Sequence, residues 1–217
     1  MSDRPLERDR LDTLVEALAR DGFAIDEDFA SGGLVELLAA EVEAREFAGA
    51  MHRAAIGRLD ETRVEDDIRV VEASWLSAAS TVDAMLLAMA EDLRLTLNRK
   101  LFLGLFEFEA QYLFYPPGGF YARHLDSLAG ARNRIVSFVL YLNRSWIPGD
   151  GGELDIWRSP EDRGAPAATV APRAGTLVLM LSEEIPHCVR LSLVERRVVA
   201  GWFRLNASTA QRVDPAS

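Results

Sequence analysis

EAQYLFYPPGGFYARHLDSLAGARNRIVSFVLYLN, residues 109–143, decides the fold. Three short runs rich in Tyr, Phe, Val, Ile and Leu (EAQYLFY, FYARHL and RIVSFVLYLN) alternate with the turn PPGG and a Gly/Ala/Asn stretch. Runs of this length and composition, bounded by turn residues, read as strands. Downstream, ELDIW, TLVLML and RVVAGWFRL continue the pattern. Several short strands at near-regular spacing predict an antiparallel sandwich or barrel, here over residues 106–206.

The first 105 residues read differently. Leu11, Leu14, Val15 and Leu18 recur at helical spacing, and Gly22 is a natural stop. FAIDEDF predicts a short strand. Leu34, Leu37, Leu38 and Val42 mark a second amphipathic helix running towards Ala55, with His52 inside it. GRLDETRVEDDIR is charged, has no apolar period and reads as a surface loop able to close as a lid. IRVVEASWL is strand-like at its start. Met85, Leu86, Met89 and Leu93 give a third helix from Ser80 to about Leu97, with Ser80 or Thr81 as cap. The expectation is one domain over residues 1–217, mainly β with supporting helices (α+β): helices of a support region (1–105) packed on one sheet of a β core (106–206), and a frayed tail at 207–217.

Composition excludes several classes. The net charge of −10 opposes a nucleic-acid surface, because phosphate demands an excess of Lys and Arg. No apolar run is long enough to span a bilayer, so no membrane partner is expected. The charged start MSDRPLERDR carries no secretory pattern. One cysteine, Cys188, permits no internal disulfide and fits a reducing compartment, which makes the cytoplasm the expected location.

The chemistry concentrates on few residues. Of three histidines, His124 lies two positions before Asp126, and on a strand both project to one side. His187 in EIPHCV supplies a third donor. Two imidazoles and a carboxylate capping one face of a metal leave the other positions open, an arrangement that suits non-haem Fe(II) and oxygen chemistry. Alone, HxD fits an exposed strand as readily, and a lone His187 fits a satisfied core histidine. The three together favour the metal site. In RRVVAGWFR, period two places Arg196, Val198, Ala200 and Trp202 on one face and Arg197, Val199, Gly201 and Phe203 on the other. Both faces are apolar, so at least one guanidinium points inward and needs an anion, whether a bound dicarboxylic acid or an internal Asp or Glu. Tyr112, Tyr115 and Tyr141 read as core tyrosines or as phenols facing a pocket. Cys188 should face away from His187 as a small buried residue, and Gly151-Gly152 read as turn glycines.

The ordered series YPPGGFYARHLDS, RIVSFVLYLNRSW, GGELDIW, PHCV and RRVVAGWF resembles the 2-oxoglutarate- and Fe(II)-dependent prolyl hydroxylases, in the branch of the hypoxia-inducible-factor prolyl hydroxylases and their bacterial relatives. The resemblance implies a double-stranded β-helix, or jelly roll. It implies iron ligands at His124, Asp126 and His187. It places the co-substrate arginine six residues before Trp202, at Arg196, with Tyr141 on the same carboxylate and Tyr115 near the metal. Leu154 and Trp202 match pocket-wall positions, and Arg134 a basic residue near the substrate entrance. Implied cofactors are Fe(II), 2-oxoglutarate and O2, with L-ascorbate as an optional addition. The implied partner is a protein or peptide containing proline, and no oligomeric state is implied. Two departures concern the substrate. Arg69-Val70-Val71 replaces the family's Arg-Gly-Asp, leaving Glu72 as the available acid, and the turn before HxD is one residue shorter. The activity implied is hydroxylation of a prolyl residue, with succinate and CO2 as co-products. The competing readings are the same chemistry on a free amino acid or small metabolite, and a jelly-roll binding module without activity.

Overall fold

In the computed structural model, residues 8–30, 32–53, 70–127 and 133–206 are described. Three helices and eleven strands follow one another as α1 (Arg8–Asp21), β1 (Phe23–Asp26), α2 (Gly33–Phe47), β2 (His52–Arg53), β3 (Glu72–Trp75), α3 (Thr81–Leu101), β4 (Glu107–Tyr115), β5 (Tyr121–His124), β6 (Arg134–Tyr141), β7 (Leu154–Ile156), β8 (Ala168–Val170), β9 (Leu177–Leu181), β10 (His187–Val189) and β11 (Arg196–Arg204). The strands form two antiparallel sheets. The larger runs β1-β9-β6-β11-β4-β3-β2 and the smaller β5-β10-β7-β8. Mainly β with supporting helices is therefore the observed class.

Alternation along the central strands builds two cores. Val199 and Phe203 of β11 turn towards the helices, where they pack with Leu14, Leu18, Leu38, Leu86, Leu93 and Leu97. Val198 and Ala200 turn the other way and pack with Leu154, Ile156 and Val189 of the smaller sheet. A fully buried leucine contributes about 1.5–3 kcal/mol, so the helix stripes fasten the larger sheet from behind while its other face stays committed to the site. Gly201 is required here: a Cβ would lie 2.5 Å from the ring of Phe108, which packs edge-on against Phe138 at 5.3 Å. Helix α3 starts where Ser80 accepts a hydrogen bond from the Asp83 amide, and it ends at Phe102, whose φ of 54° cannot continue a helix.

Several expectations need correction. α2 stops at Phe47, because Ala48 and Gly49 close it and Gly49 takes a φ of 66°. His52 consequently lies on β2 and not on a helix. Leu37 and Met85 are exposed, so the apolar stripes of α2 and α3 are centred on Val35, Leu38 and Val42, and on Leu86, Ala90 and Leu93. The strand in IRVVEASWL occupies its second half. Cys188 is half-buried, not buried. The charged loop expected at 57–69 and the tail at 207–217 lie outside the described residues.

Candidate active site

β5 and β10 pair in the smaller sheet, with His124 directly opposite His187. Pairing brings the two imidazoles together, ring centroids 4.4 Å apart and tilted by 59°. Asp126 does not lie on the strand as expected. β5 ends at His124, and Asp126 sits two residues on in a bend, whose turn brings the carboxylate back towards the rings. Its oxygens lie 3.5 Å from His124 Nε2 and 3.7 Å from His187 Nε2. One ligand atom from each of the three residues falls within 4.8 Å of the others. Each Nδ1 faces a backbone carbonyl: His124 that of Ala122 at 2.8 Å, His187 that of Ile185 at 3.1 Å. Placing the proton on Nδ1 leaves the Nε2 lone pair free for a metal, the tautomer that ligation needs.

Charge agrees with that geometry. Burial pushes the His187 imidazole down to about 4, and neighbouring His124 adds to the effect against Asp126, so His187 is neutral at neutral pH. Burial alone would raise the Asp126 carboxyl. The two imidazoles and the Ser137 hydroxyl hold it well below the usual carboxylate range instead. A neutral His187 beside an ionised Asp126 suits a divalent cation, which binds imidazole nitrogen and carboxylate oxygen.

Arg196 is 2% exposed, and among the described residues it has no carboxylate partner. Its Nε donates to the Gly152 carbonyl at 2.9 Å, while Nη1 is buried without a partner. The guanidinium lies 4.6 Å from the ring centre of Tyr115, its cross-strand neighbour on β4, and 5.1 Å from that of Tyr141. The Tyr141 hydroxyl is likewise buried and unpartnered, and burial raises that phenol to about 12 against the opposing charge of Arg196. A buried cation and a buried donor left unsatisfied together cost several kcal/mol, which a bound carboxylate would recover. The neighbouring Arg197 has the opposite surroundings: its Nε and Nη2 grip Glu46 of α2 at 2.7 and 2.8 Å, and Nη2 also meets Glu195. Alternation thus assigns the internal ion pair to Arg197 and the open cation to Arg196.

Leu154 of β7 is buried in the same inter-sheet core. Trp202 and Arg134 meet, the guanidinium 3.6 Å over the indole, and Arg134 also pairs with Glu109. Tyr112, by contrast, points to the helix side, where its hydroxyl donates to Asp83. Glu72 shares its side of β3 with Ser74, which faces Arg45 of α2, so it does not stand in for the missing acid at the mouth. Three contributors went unread in the sequence. Trp75 is 55% exposed with its ring 6.5 Å from Trp202, Tyr121 stacks on His124 at 3.5 Å, and Ser137 bears on Asp126. Only the alternation of β6, which puts Ser137 across from Trp202, carried a signal for any of them.

Two imidazoles and a carboxylate gathered at the smaller sheet, with an unpartnered buried guanidinium on the larger, fit the class of non-haem iron oxygenases that take an oxo-acid co-substrate. The sequence model of the 2OG-Fe(II) oxygenase superfamily matches residues 110–204. A prolyl-4-hydroxylase from Pseudomonas putida is 38% identical, with a TM-score of 0.80 over 90% of this chain and 98% of that one. The protein belongs to the 2OG-Fe(II) oxygenase superfamily and is a 2-oxoglutarate-dependent dioxygenase. The fold extends to a prolyl hydroxylase from Trichoplax adhaerens in complex with a hypoxia-inducible-factor peptide fragment (22% identity, TM-score 0.78, 89% of this chain and 88% of that one). It extends also to a viral collagen prolyl hydroxylase from Paramecium bursaria Chlorella virus-1 in complex with 2-oxoglutarate (16% identity, TM-score 0.60, 86% and 98%). Fe(II), 2-oxoglutarate and O2 are the cofactor and co-substrates of this family, and the three-residue donor set suits the iron. No described helix is long and apolar enough to cross a membrane.

Proposed function

We propose that the protein hydroxylates a prolyl residue of an intracellular protein or peptide, forming succinate and CO2. The observation that carries the prolyl assignment is the 38% identity to the Pseudomonas putida prolyl-4-hydroxylase along 98% of that chain. The peptide bound to the Trichoplax adhaerens enzyme supports a polypeptide substrate.

His124, Asp126 and His187 hold the iron, and the bound ion supplies the oxidative chemistry that couples decarboxylation of 2-oxoglutarate to hydroxylation of a C–H bond. The protein's own residues fix geometry. Arg196 Nη1 and the Tyr141 hydroxyl, both without partners, take the far carboxylate of 2-oxoglutarate, so the oxo-acid end is delivered to the metal in one orientation. Tyr115 stacks against that guanidinium and keeps it from rotating out. Leu154 and the inter-sheet aliphatics keep water from the co-substrate. At the mouth, Trp202, steadied by Arg134, forms the wall against which the prolyl segment lies. The single cysteine supports a cytoplasmic setting.

The test is succinate formation from 2-oxoglutarate with Fe(II), with L-ascorbate optional, in the presence of prolyl peptides or free L-proline. Peptide-dependent turnover that vanishes in His124→Ala is expected. Turnover that survives the substitution would refute the site, and turnover with free L-proline alone would move the substrate to small molecules.

A further inference from the structure

Asp83 of α3 is fully buried, and its carboxylate is surrounded by donors. The Tyr112 hydroxyl donates to one oxygen at 2.8 Å, and the other accepts from Arg45 Nη2 at 2.6 Å and from the Ser77 amide at 2.8 Å. Burial pushes the Tyr112 phenol far above its ordinary value, so that hydroxyl stays a donor. Arg45 of α2 stands at the centre of this cluster. Its Nε donates to Glu41 at 2.9 Å, and its Nη1 donates to the Trp75 carbonyl at 2.8 Å. A guanidinium is planar with donors at fixed angles, so one side chain joins α2, α3 and the last residue of β3 in a single arrangement.

The Trp75 carbonyl needs that donor. β2 pairs with β3 only at Glu72 and Ala73, so among the described residues no strand covers the outer edge of β3 at Trp75. The next two residues are tied as well: the Leu76 amide donates to Ala110 of β4 at 2.9 Å, and the Ser77 amide to Asp83. Alternation sends Ser74 to the helix side and sends Ala73 and Trp75 the other way. There Ala73 packs against the inter-sheet core, and the Trp75 ring lies 6.5 Å from that of Trp202. Fixing the main chain at Trp75 therefore fixes where an exposed indole stands. We propose that Arg45 and Asp83 are positioning residues: their ion pair anchors the end of β3 so that Trp75 stands beside Trp202 as the second wall of the mouth that takes the prolyl segment. The proposal rests on the reading of Trp202 as the first wall, and it extends that reading to two side chains on the helix side of the sheet. Without the anchor the strand end frays and the indole samples several rotamers, an ordering cost that substrate binding must then meet.

Arg45→Lys keeps a cation beside Asp83 but lacks the fork that also reaches the Trp75 carbonyl. Its KM for a prolyl peptide should rise about tenfold, the scale of one charge-assisted hydrogen bond, while the KM for 2-oxoglutarate stays within about twofold. Asp83→Asn should act in the same direction. In a Trp75→Ala background Arg45→Lys should add nothing further, since it acts through that residue. A second measurement needs no substrate. The full-length protein labelled with fluorotryptophan gives four fluorine resonances, one for each tryptophan, and the one lost in Trp75→Phe is assigned to that residue. Arg45→Lys should shift or broaden the Trp75 resonance and leave those of Trp146 and Trp157 in place. Thermal unfolding identifies variants that have lost the fold, and if Asp83→Asn is one of them, Arg45→Lys and Arg45→Gln carry the test. An unmoved Trp75 resonance in folded Arg45→Lys, or additive losses in peptide KM in the double variant, would overturn the anchor. Wild-type protein that turns over no prolyl peptide would instead strike the substrate reading, and the fluorine spectrum would still decide whether Arg45 positions Trp75.

Discussion

Arg196 and Arg197 are identical side chains one position apart, and burial with different partners makes them chemically unlike. If Arg196 holds the co-substrate as proposed, replacing it by Ala should raise the dissociation constant for 2-oxoglutarate about 100-fold, the scale of one to two charge-assisted bonds. Arg197→Ala should leave that constant within about threefold and instead lower thermal stability, because it strands Glu46 at the helix–sheet boundary. Calorimetric titration with 2-oxoglutarate under Co(II) distinguishes the two, and equal effects would reverse the face assignment. At His187 the folded imidazole sits near 4 against an ordinary 6.5. Above about 6.5 neither folded nor unfolded metal-free protein is protonated there. As pH falls from about 6.5 towards 4 the unfolded chain binds a proton that the folded one refuses, so stability drops across that window. Urea midpoints of chelator-treated protein at pH 7.5, 6 and 5 should fall, and fall less in His187→Gln. A flat profile would contradict a neutral, buried His187.

Among the elements, the turn before β7 has the most direct bearing on the site. Gly152 has a φ of 75°, and a Cβ there would lie 3.0 Å from Arg196 Cδ and 2.9 Å from Ser192 Oγ. Gly152→Ala should therefore push the guanidinium aside and weaken 2-oxoglutarate binding at least tenfold while Co(II) still binds; unchanged 2-oxoglutarate affinity would show that Arg196 can give way. Ser80→Ala, which removes the cap of α3, should cost about 1 kcal/mol of stability, read from urea unfolding, without touching either affinity. The elements were unevenly legible in the sequence. α1 and α3 were, because each pairs an apolar stripe with a stop or cap. The end of α2 was missed because the alanines after Phe47 favour helix, while the stop depends on Gly49 adopting a left-handed φ. β8 and β10 have three residues each, too short to show a period, and only their sheet partners define them. The metal triad was legible because its residue types are rare and ordered. That Asp126 turns towards the two histidines from a bend is a fact of the chain's path, and that Tyr115 lies opposite Arg196 is a fact of strand pairing; no local pattern contains either.

For the whole molecule, the proposed site is the seam between two sheets: His124 and His187 belong to the smaller, and Arg196 and Tyr141, the proposed grip on the co-substrate, to the larger. Filling the seam should hold the sheets together. Co(II) with a non-reactive 2-oxoglutarate analogue should raise the unfolding temperature more than the sum of the two added singly, by linkage. Strict additivity would show that the two subsites do not communicate. The antiparallel sandwich with helices behind one sheet was legible because strand runs cluster after residue 105. What was not legible is that β1, β2 and β3 leave the helical region and join the larger sheet.

The back-to-back arginines give β11 a built-in check against misthreading. A slip by a single residue would turn Arg197 into the inter-sheet space and swing Arg196 out towards the helix side that carries Glu46, so the alternation of charge alone would tolerate it. Trp202, however, would leave its place under Arg134 and Gly201 would lose its place beneath Phe108. The tight glycine thus acts as a proofreading notch: electrostatics alone would accept either alignment, and steric fit at one position rejects the wrong one.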